Sequence, residues 1–164
     1  MDSKSRENGA GRPRWWATGG LATLALLLAA APAFATLGQA SNSVTLDRQS
    51  ISPGGAFTHQ SAAGYSVSQF QTAVGTTVRE YVAPDGMVFG VAWNGPQPPN
   101  LAVLLGSYFN QFQQGLRQQF LGLHHSLVQV QDLVIQTGGH MLDLRGRAYV
   151  PSLVPAGVDA EVVQ

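Results

Sequence analysis

The chain contains no cysteine, and its single lysine is Lys4; of its 164 residues only 11% are charged. Without cysteine no disulfide can staple the fold, no thiolate can attack a substrate or hold a metal, and no lipid can be joined at an export cleavage point. The fold must rest on its apolar core. The scarcity of positive charge removes two classes of partner. Nucleic acid calls for a basic stripe that displaces counterions from phosphates, and an anionic membrane surface calls for a similar cluster. Four of the nine basic residues fall in the first 14 positions, and the other five are scattered arginines. A long apolar run is also missing. The longest, Leu21 to Ala31, is about 11 residues, whereas a spanning helix needs about 20.

What is present begins with an address. Lys4, Arg6, Arg12 and Arg14 precede that apolar run, and small residues follow it at the spacing a signal peptidase reads, Ala33-Phe34-Ala35, with Ala31-Pro32-Ala33 as the alternative. Residues 1–35 therefore read as a cleavable signal, with the mature chain starting at Thr36. The expectation is an exported protein, periplasmic or extracellular, with no stable membrane span after cleavage. Arg12-Pro13-Arg14 is not a consecutive arginine pair, which favours the general export route over the twin-arginine one. The mature chain would hold five arginines against seven acids, a net charge of −2 (5 − 7). Its polarity is carried by uncharged groups, above all the glutamines between Gln111 and Gln119. A surface so poor in charge repels its neighbours weakly, which suits association with itself or with another envelope protein.

The 129 residues that remain suit one domain. Residues 36–64, rich in Ser, Gly, Ala and Gln, read as a loosely structured leading segment with at most a short strand or helical turn; Val44-Thr45-Leu46 and Ile51 are its apolar anchors. A single domain is expected over 65–164. Tyr65 to Gln71, Thr76 to Val82 and Met87 to Trp93 alternate as strands, with Met87, Phe89, Val91 and Trp93 on one face. Val74-Gly75 and Pro84-Asp85-Gly86 between them carry hairpin chemistry. Prolines at Pro96, Pro98 and Pro99 stop the third strand.

Asn100 then offers an N-cap, and Leu101, Leu104, Leu105, Tyr108, Phe112 and Leu116 recur along one helical stripe. Asn110, Gln113, Gln114 and Arg117 lie opposite, and Gly115 within the stripe would let the helix sit close to a sheet. Ser126 to Gln131 and Leu133 to Thr137 follow as strands, and Gly138-Gly139 is placed to turn the chain back into His140 to Val150. The expected fold is α+β: an antiparallel β-meander, one amphipathic helix, then a β-hairpin in the same sheet, with the Pro- and Val-rich tail capping a sheet edge.

Few residues point to chemistry. His124, His125, His140 and Asp143 are the imaginable metal set, but their spacings split them between faces, and solvated histidines are the expectation. No cofactor is implied, since Gly138-Gly139 lacks the spacing and the lysine of a nucleotide cradle. No Gly-x-Ser-x-Gly elbow surrounds any serine. Glu80 shares strand parity with Val78 and Val82; buried there, it would act as a general acid or be paired with an arginine. A glycosidase would need a second carboxylate, and Asp85, Asp132 and Asp143 are available. Arg79, Arg145 and Arg147, with Tyr81 and Tyr149 in matching parity, would form a small anion- or saccharide-binding face if their strands are neighbours, or merely the wet side of a half-buried sheet. An exposed Trp93 would favour recognition. The candidate ligand or partner surface is thus Arg79, Glu80, Tyr81, Trp93, Arg145 and Arg147, with no residue assigned to catalysis.

Gly75-Thr-Thr-Val-Arg-Glu-Tyr-Val82, Val88-Phe-Gly-Val-Ala-Trp-Asn-Gly-Pro96, Gly138-Gly-His-Met141 and Gly146-Arg-Ala-Tyr-Val-Pro151 occur here in order. Together with Leu104-Leu-Gly-Ser-Tyr-Phe109 and Pro155-Ala-Gly-Val158, they make the chain resemble the bacterial domain-of-unknown-function family 2844 from about Ala35 onward. The resemblance implies an exported Gram-negative protein of uncharacterised activity and adds no catalytic residue. Two functions follow. The first is a non-enzymatic interaction domain of the bacterial envelope; the second is a small-ligand-binding or hydrolytic domain acting on envelope carbohydrate through Glu80 and nearby arginines.

Overall fold

The computed structural model describes residues 37–40, 51, 55–118 and 125–164, all within one compact unit. The expected signal at 1–35, the anchor Val44-Thr45-Leu46 and His124 lie outside the described residues. Among those residues, seven strands form one antiparallel sheet. They are β1 (Phe57–Ala62), β2 (Tyr65–Gln71), β3 (Thr77–Val82), β4 (Val88–Gly95), β5 (His125–Val130), β6 (Leu133–His140) and β7 (Asp143–Tyr149). Their order across the sheet is β1-β2-β3-β4-β7-β6-β5. This is the α+β plan the sequence predicts, a meander and a second group of strands joined by a helical crossing. The sheet starts at Phe57, so the 36–64 segment contributes a strand to it. Gly75 and Gly86, at φ of 88° and 86°, turn the meander where expected.

Two local expectations are corrected. Gly138 and Gly139 are not the turn: they pair with Arg145 and Leu144 inside the ladder, and the chain reverses at Met141-Leu142. A side chain at Gly139 would strike the main chain of Asp143 and Leu144, so its glycine permits close backbone approach, at a φ of 115°. Leu142 takes the left-handed conformation instead, at 68°. In β4, Tyr81 pairs with Gly90 but Val82 pairs with Val88, leaving Phe89 as the extra residue of a bulge. Phe89 therefore joins Tyr81 and Ala92 on one face, while Val91 and Trp93 pack on the other.

The helical crossing is α1 (Leu101–Leu105), a 3₁₀ turn (Gly106–Tyr108) and α2 (Phe109–Gln118). Asn100 caps it, its side chain accepting from the Ala102 and Val103 amides at 3.1 and 3.3 Å. A 3₁₀ turn winds tighter than an α-helix and rotates the stripe that follows it. Leu116, expected on the stripe, is accordingly 41% exposed. Leu104, Leu105 and Phe112 face the sheet and pack with Phe70, Val78, Val91 and Ile135. Gly115 does let the helix come close: a Cβ there would lie 2.7 Å from Val130 Cγ2 and nearer still to Val128.

The opposite face is covered by the tail from Leu153 to the end of the chain, while Val150 before it is buried in the helix-face core. Val163 is fully buried there with Tyr81, Phe89 and Ala92, and Tyr65, Tyr149 and Val158 pack around them. Among the described residues no helix is long and apolar enough to cross a membrane.

Candidate functional site

Strand parity divides the predicted site residues between the two faces. Register aligns Gln69, Arg79, Ala92, Arg147 and Gln136 in a row across β2, β3, β4, β7 and β6 on the tail side. Because Ala92 is small, two guanidinium groups lie on either side of it without crowding. Each is held by a glutamine on its outer flank. Arg79 Nε donates to Gln69 Oε1 at 2.9 Å, and Arg147 Nε donates to Gln136 Oε1 at 2.7 Å.

The tail is locked onto this row. Arg147 grips Glu161 with both terminal nitrogens, at 2.9 and 2.8 Å, and also donates to the Val163 carbonyl at 3.3 Å. Arg79 donates to the main-chain oxygen of Gln164 at 3.2 Å. The Tyr81 hydroxyl donates to the same oxygen at 2.7 Å and accepts from the Gln164 amide at 3.2 Å. Arg147 also lies 5.8 Å from the centre of the Tyr149 ring, within cation–π range. Asp159 caps the short turn that delivers Glu161, its carboxylate accepting from the Glu161 amide at 2.9 Å. The fork-to-fork hydrogen bonds from Arg147 hold the Glu161 carboxyl below its ordinary value, and the same bonds raise the arginine.

Further along the row's edge, Arg145 bonds Asp143 at 2.8 Å, and Asp143 accepts from Asn94 at 3.1 Å. These contacts, led by Arg145, lower the Asp143 carboxyl as well. Between the strands and the tail runs a groove of about 760 Å³. Its lining extends from Thr58 and Gln60 on β1 to Gln136 and Thr137 on β6, with Val162 and Gln164 as one wall.

Arg79, Tyr81, Arg145 and Arg147 are thus brought together. Glu80 and Trp93 are not part of that row. Glu80 lies on the helix face at 0% exposure, opposite Val91 and beside Ser68, whose hydroxyl meets His59 Nδ1 at 3.1 Å. A reaction combining Glu80 with Arg79 and Arg147 is not assembled, because adjacent residues of a strand point to opposite sides. Trp93 is 3% exposed, with its ring over Gly146 of β7, where any side chain would collide with the indole. It is buried rather than exposed as expected, yet it is among the residues that line the groove described above. His140 is exposed, and among the described residues no three His, Cys, Asp or Glu side chains converge as metal ligands.

A family model described as a protein of unknown function, DUF2844, matches residues 33–163, from before the sheet to the end of the tail. The chain belongs to the DUF2844 family. No curated protein and no solved structure matches it. The DUF2844 match takes in both the strands under the groove and the tail up to Val163, so the floor and the Val162 part of the wall lie within the family region. Sequence reasoning missed the two glutamines, and it expected the tail at a sheet edge, whereas the tail lies over a sheet face. Parity alone pointed to Arg79 and Arg147 as same-face residues, whereas Gln69 and Gln136 needed the register, and Glu161 needed the knowledge that the tail folds back over β3, β4 and β7.

Proposed function

We propose that this DUF2844 protein is an exported, non-enzymatic binding domain of the Gram-negative envelope, in the periplasm or outside the cell, directed there by a signal at residues 1–35. The observation that carries the binding role is the groove between sheet and tail, framed by arginines of which two, Arg79 and Arg147, also hold the tail. The carboxylates beside it, Glu161 and Asp143, are held ionised by guanidinium partners. A general acid works best with its pKa near the operating pH, and these two are displaced the wrong way. Binding without turnover suits such a site. The charge-poor mature surface supports association with an envelope component.

Two measurements test the proposal. Expressed with its own leader in a Gram-negative host, the chain is expected in the periplasm or medium, with its N-terminus at Thr36; an uncleaved cytoplasmic protein overturns export. The purified mature chain is expected to co-sediment with isolated envelopes; retention in the supernatant overturns the binding role.

A further inference from the structure

We propose that the groove holds a single glycan strand bearing N-acetyl groups, laid across the β-strands beside the tail. This rests on the reading of the protein as an envelope-binding domain and names the component it binds. Arginine can only donate, so the glutamine atoms it meets are the amide oxygens. Gln69 and Gln136 therefore turn their NH₂ groups away from Arg79 and Arg147, and both residues line the groove. With Arg79 and Arg145 also in the lining, the groove is rich in donors and calls for a ligand rich in acceptors. Sugar hydroxyls and acetamido carbonyls meet that need.

Shape points the same way. From β1 to β6 the lining crosses five interstrand steps, about 24 Å at 4.8 Å each. Spread over that length, about 760 Å³ leaves room for one thin chain. At the β2 end stands Tyr65, half-buried and backed by Tyr81 and Phe89, with all three ring centres 6.1 Å apart. A ring held rigid in this way offers a flat apolar surface to the C–H face of a sugar. An extended peptide is the poorer fit. Peptides gain affinity from main-chain hydrogen bonds at a sheet edge, whereas this groove lies on a sheet face, where side chains carry the donors.

The test is titration calorimetry of the mature chain with the β-1,4-linked hexamer of N-acetylglucosamine, with the glucose hexamer, and with a neutral alanine–glycine heptapeptide. The N-acetylated hexamer is expected to bind at least tenfold more tightly than the glucose hexamer, and the heptapeptide to give no heat. Gln60→Ala, on the fully exposed β1, and Tyr65→Leu are each expected to weaken binding fivefold or more, with Val74→Ser, outside the groove, unchanged. Gln60→Ala keeps the test valid if Tyr65→Leu unfolds. No heat with the N-acetylated hexamer, equal binding of both hexamers, binding of the heptapeptide, or binding indifferent to Gln60→Ala overturns the proposal. Co-sedimentation with envelopes in the absence of hexamer binding would sink the glycan while sparing the envelope role; hexamer binding by an uncleaved cytoplasmic protein would do the reverse.

Discussion

The sheet has two covered faces, and they are closed by different physics. On one, Leu104, Leu105 and Phe112 press into Phe70, Val78 and Ile135, and the helix approaches so closely at Gly115 that no Cβ fits. On the other, Val163 anchors the tail's end in a smaller apolar cluster with Tyr81, Phe89 and Ala92, and ionic and hydrogen-bonded contacts from Arg147, Arg79 and Tyr81 are added at its edge. Apolar burial carries no charge to titrate or screen, whereas an exposed ion pair is screened by salt and can be protonated away. The helix face should therefore set global stability. The tail face should open locally, and the groove lies on that side.

The largest effect should come from the helix face. Leu104 is fully buried, and Leu104→Ala is expected to cost about 3 kcal/mol through lost burial and the cavity left behind. Urea unfolding would read it as a lower midpoint with an unchanged slope. A loss well under half of that would mean that the helix is not the main closure.

A smaller effect sharpens the same point. At a solvent-exposed helical site, Gly→Ala stabilises by about 1 kcal/mol. At Gly115 the new methyl would press on Val128 and Val130, whose branched side chains are stiff. Gly115→Ala is expected to lower stability by about 1 kcal/mol net of the helix gain. An increase would show that helix and strand β5 can separate freely.

The contrast between the faces was partly legible before the fold. Period-two alternation located β2 and β3 within one residue, and it assigned Glu80 to the Val78 face and Arg79 and Tyr81 to the other. Helical spacing placed Leu104, Leu105 and Phe112, and the glycine in their stripe foretold close packing. Long-range facts were not legible. The bulge at Phe89 flips parity within β4, and no local pattern announces one extra residue. Gly138-Gly139 carries turn chemistry yet serves the ladder, because the requirement came from Asp143 and Leu144 across the hairpin. Trp93 read as a possible surface anchor, and only the partner strand's Gly146 shows where the indole goes. Burial of Glu80 followed from parity, but its separation from the arginines as a working group followed only once both faces were covered.

The smallest expected effect is the most specific to the tail face. Glu161 is 71% exposed and its partner Arg147 only 15%, so the pair is half in water and contributes little to global stability. Its carboxyl is depressed below the ordinary value of 4.5 by the arginine hydrogen bonds. A depressed carboxyl contributes stability that is fully present above the unfolded value and is lost as pH falls through the lower folded one. Asp143, depressed from 3.8 by Arg145, acts in the same direction over a more acidic window. The tail contacts should therefore hold at neutral pH and loosen progressively below about 4.5. Glu161→Gln should mimic that loosening at pH 7. Amide exchange at Val163 and Gln164 is expected to quicken about two- to fivefold, with Val128 and Ile135 under the helix unchanged, and strong salt should quicken the wild type in the same way. If the helix-face amides quicken in step with the tail, the two faces open as one cooperative unit, and the tail is no separately yielding wall of the groove.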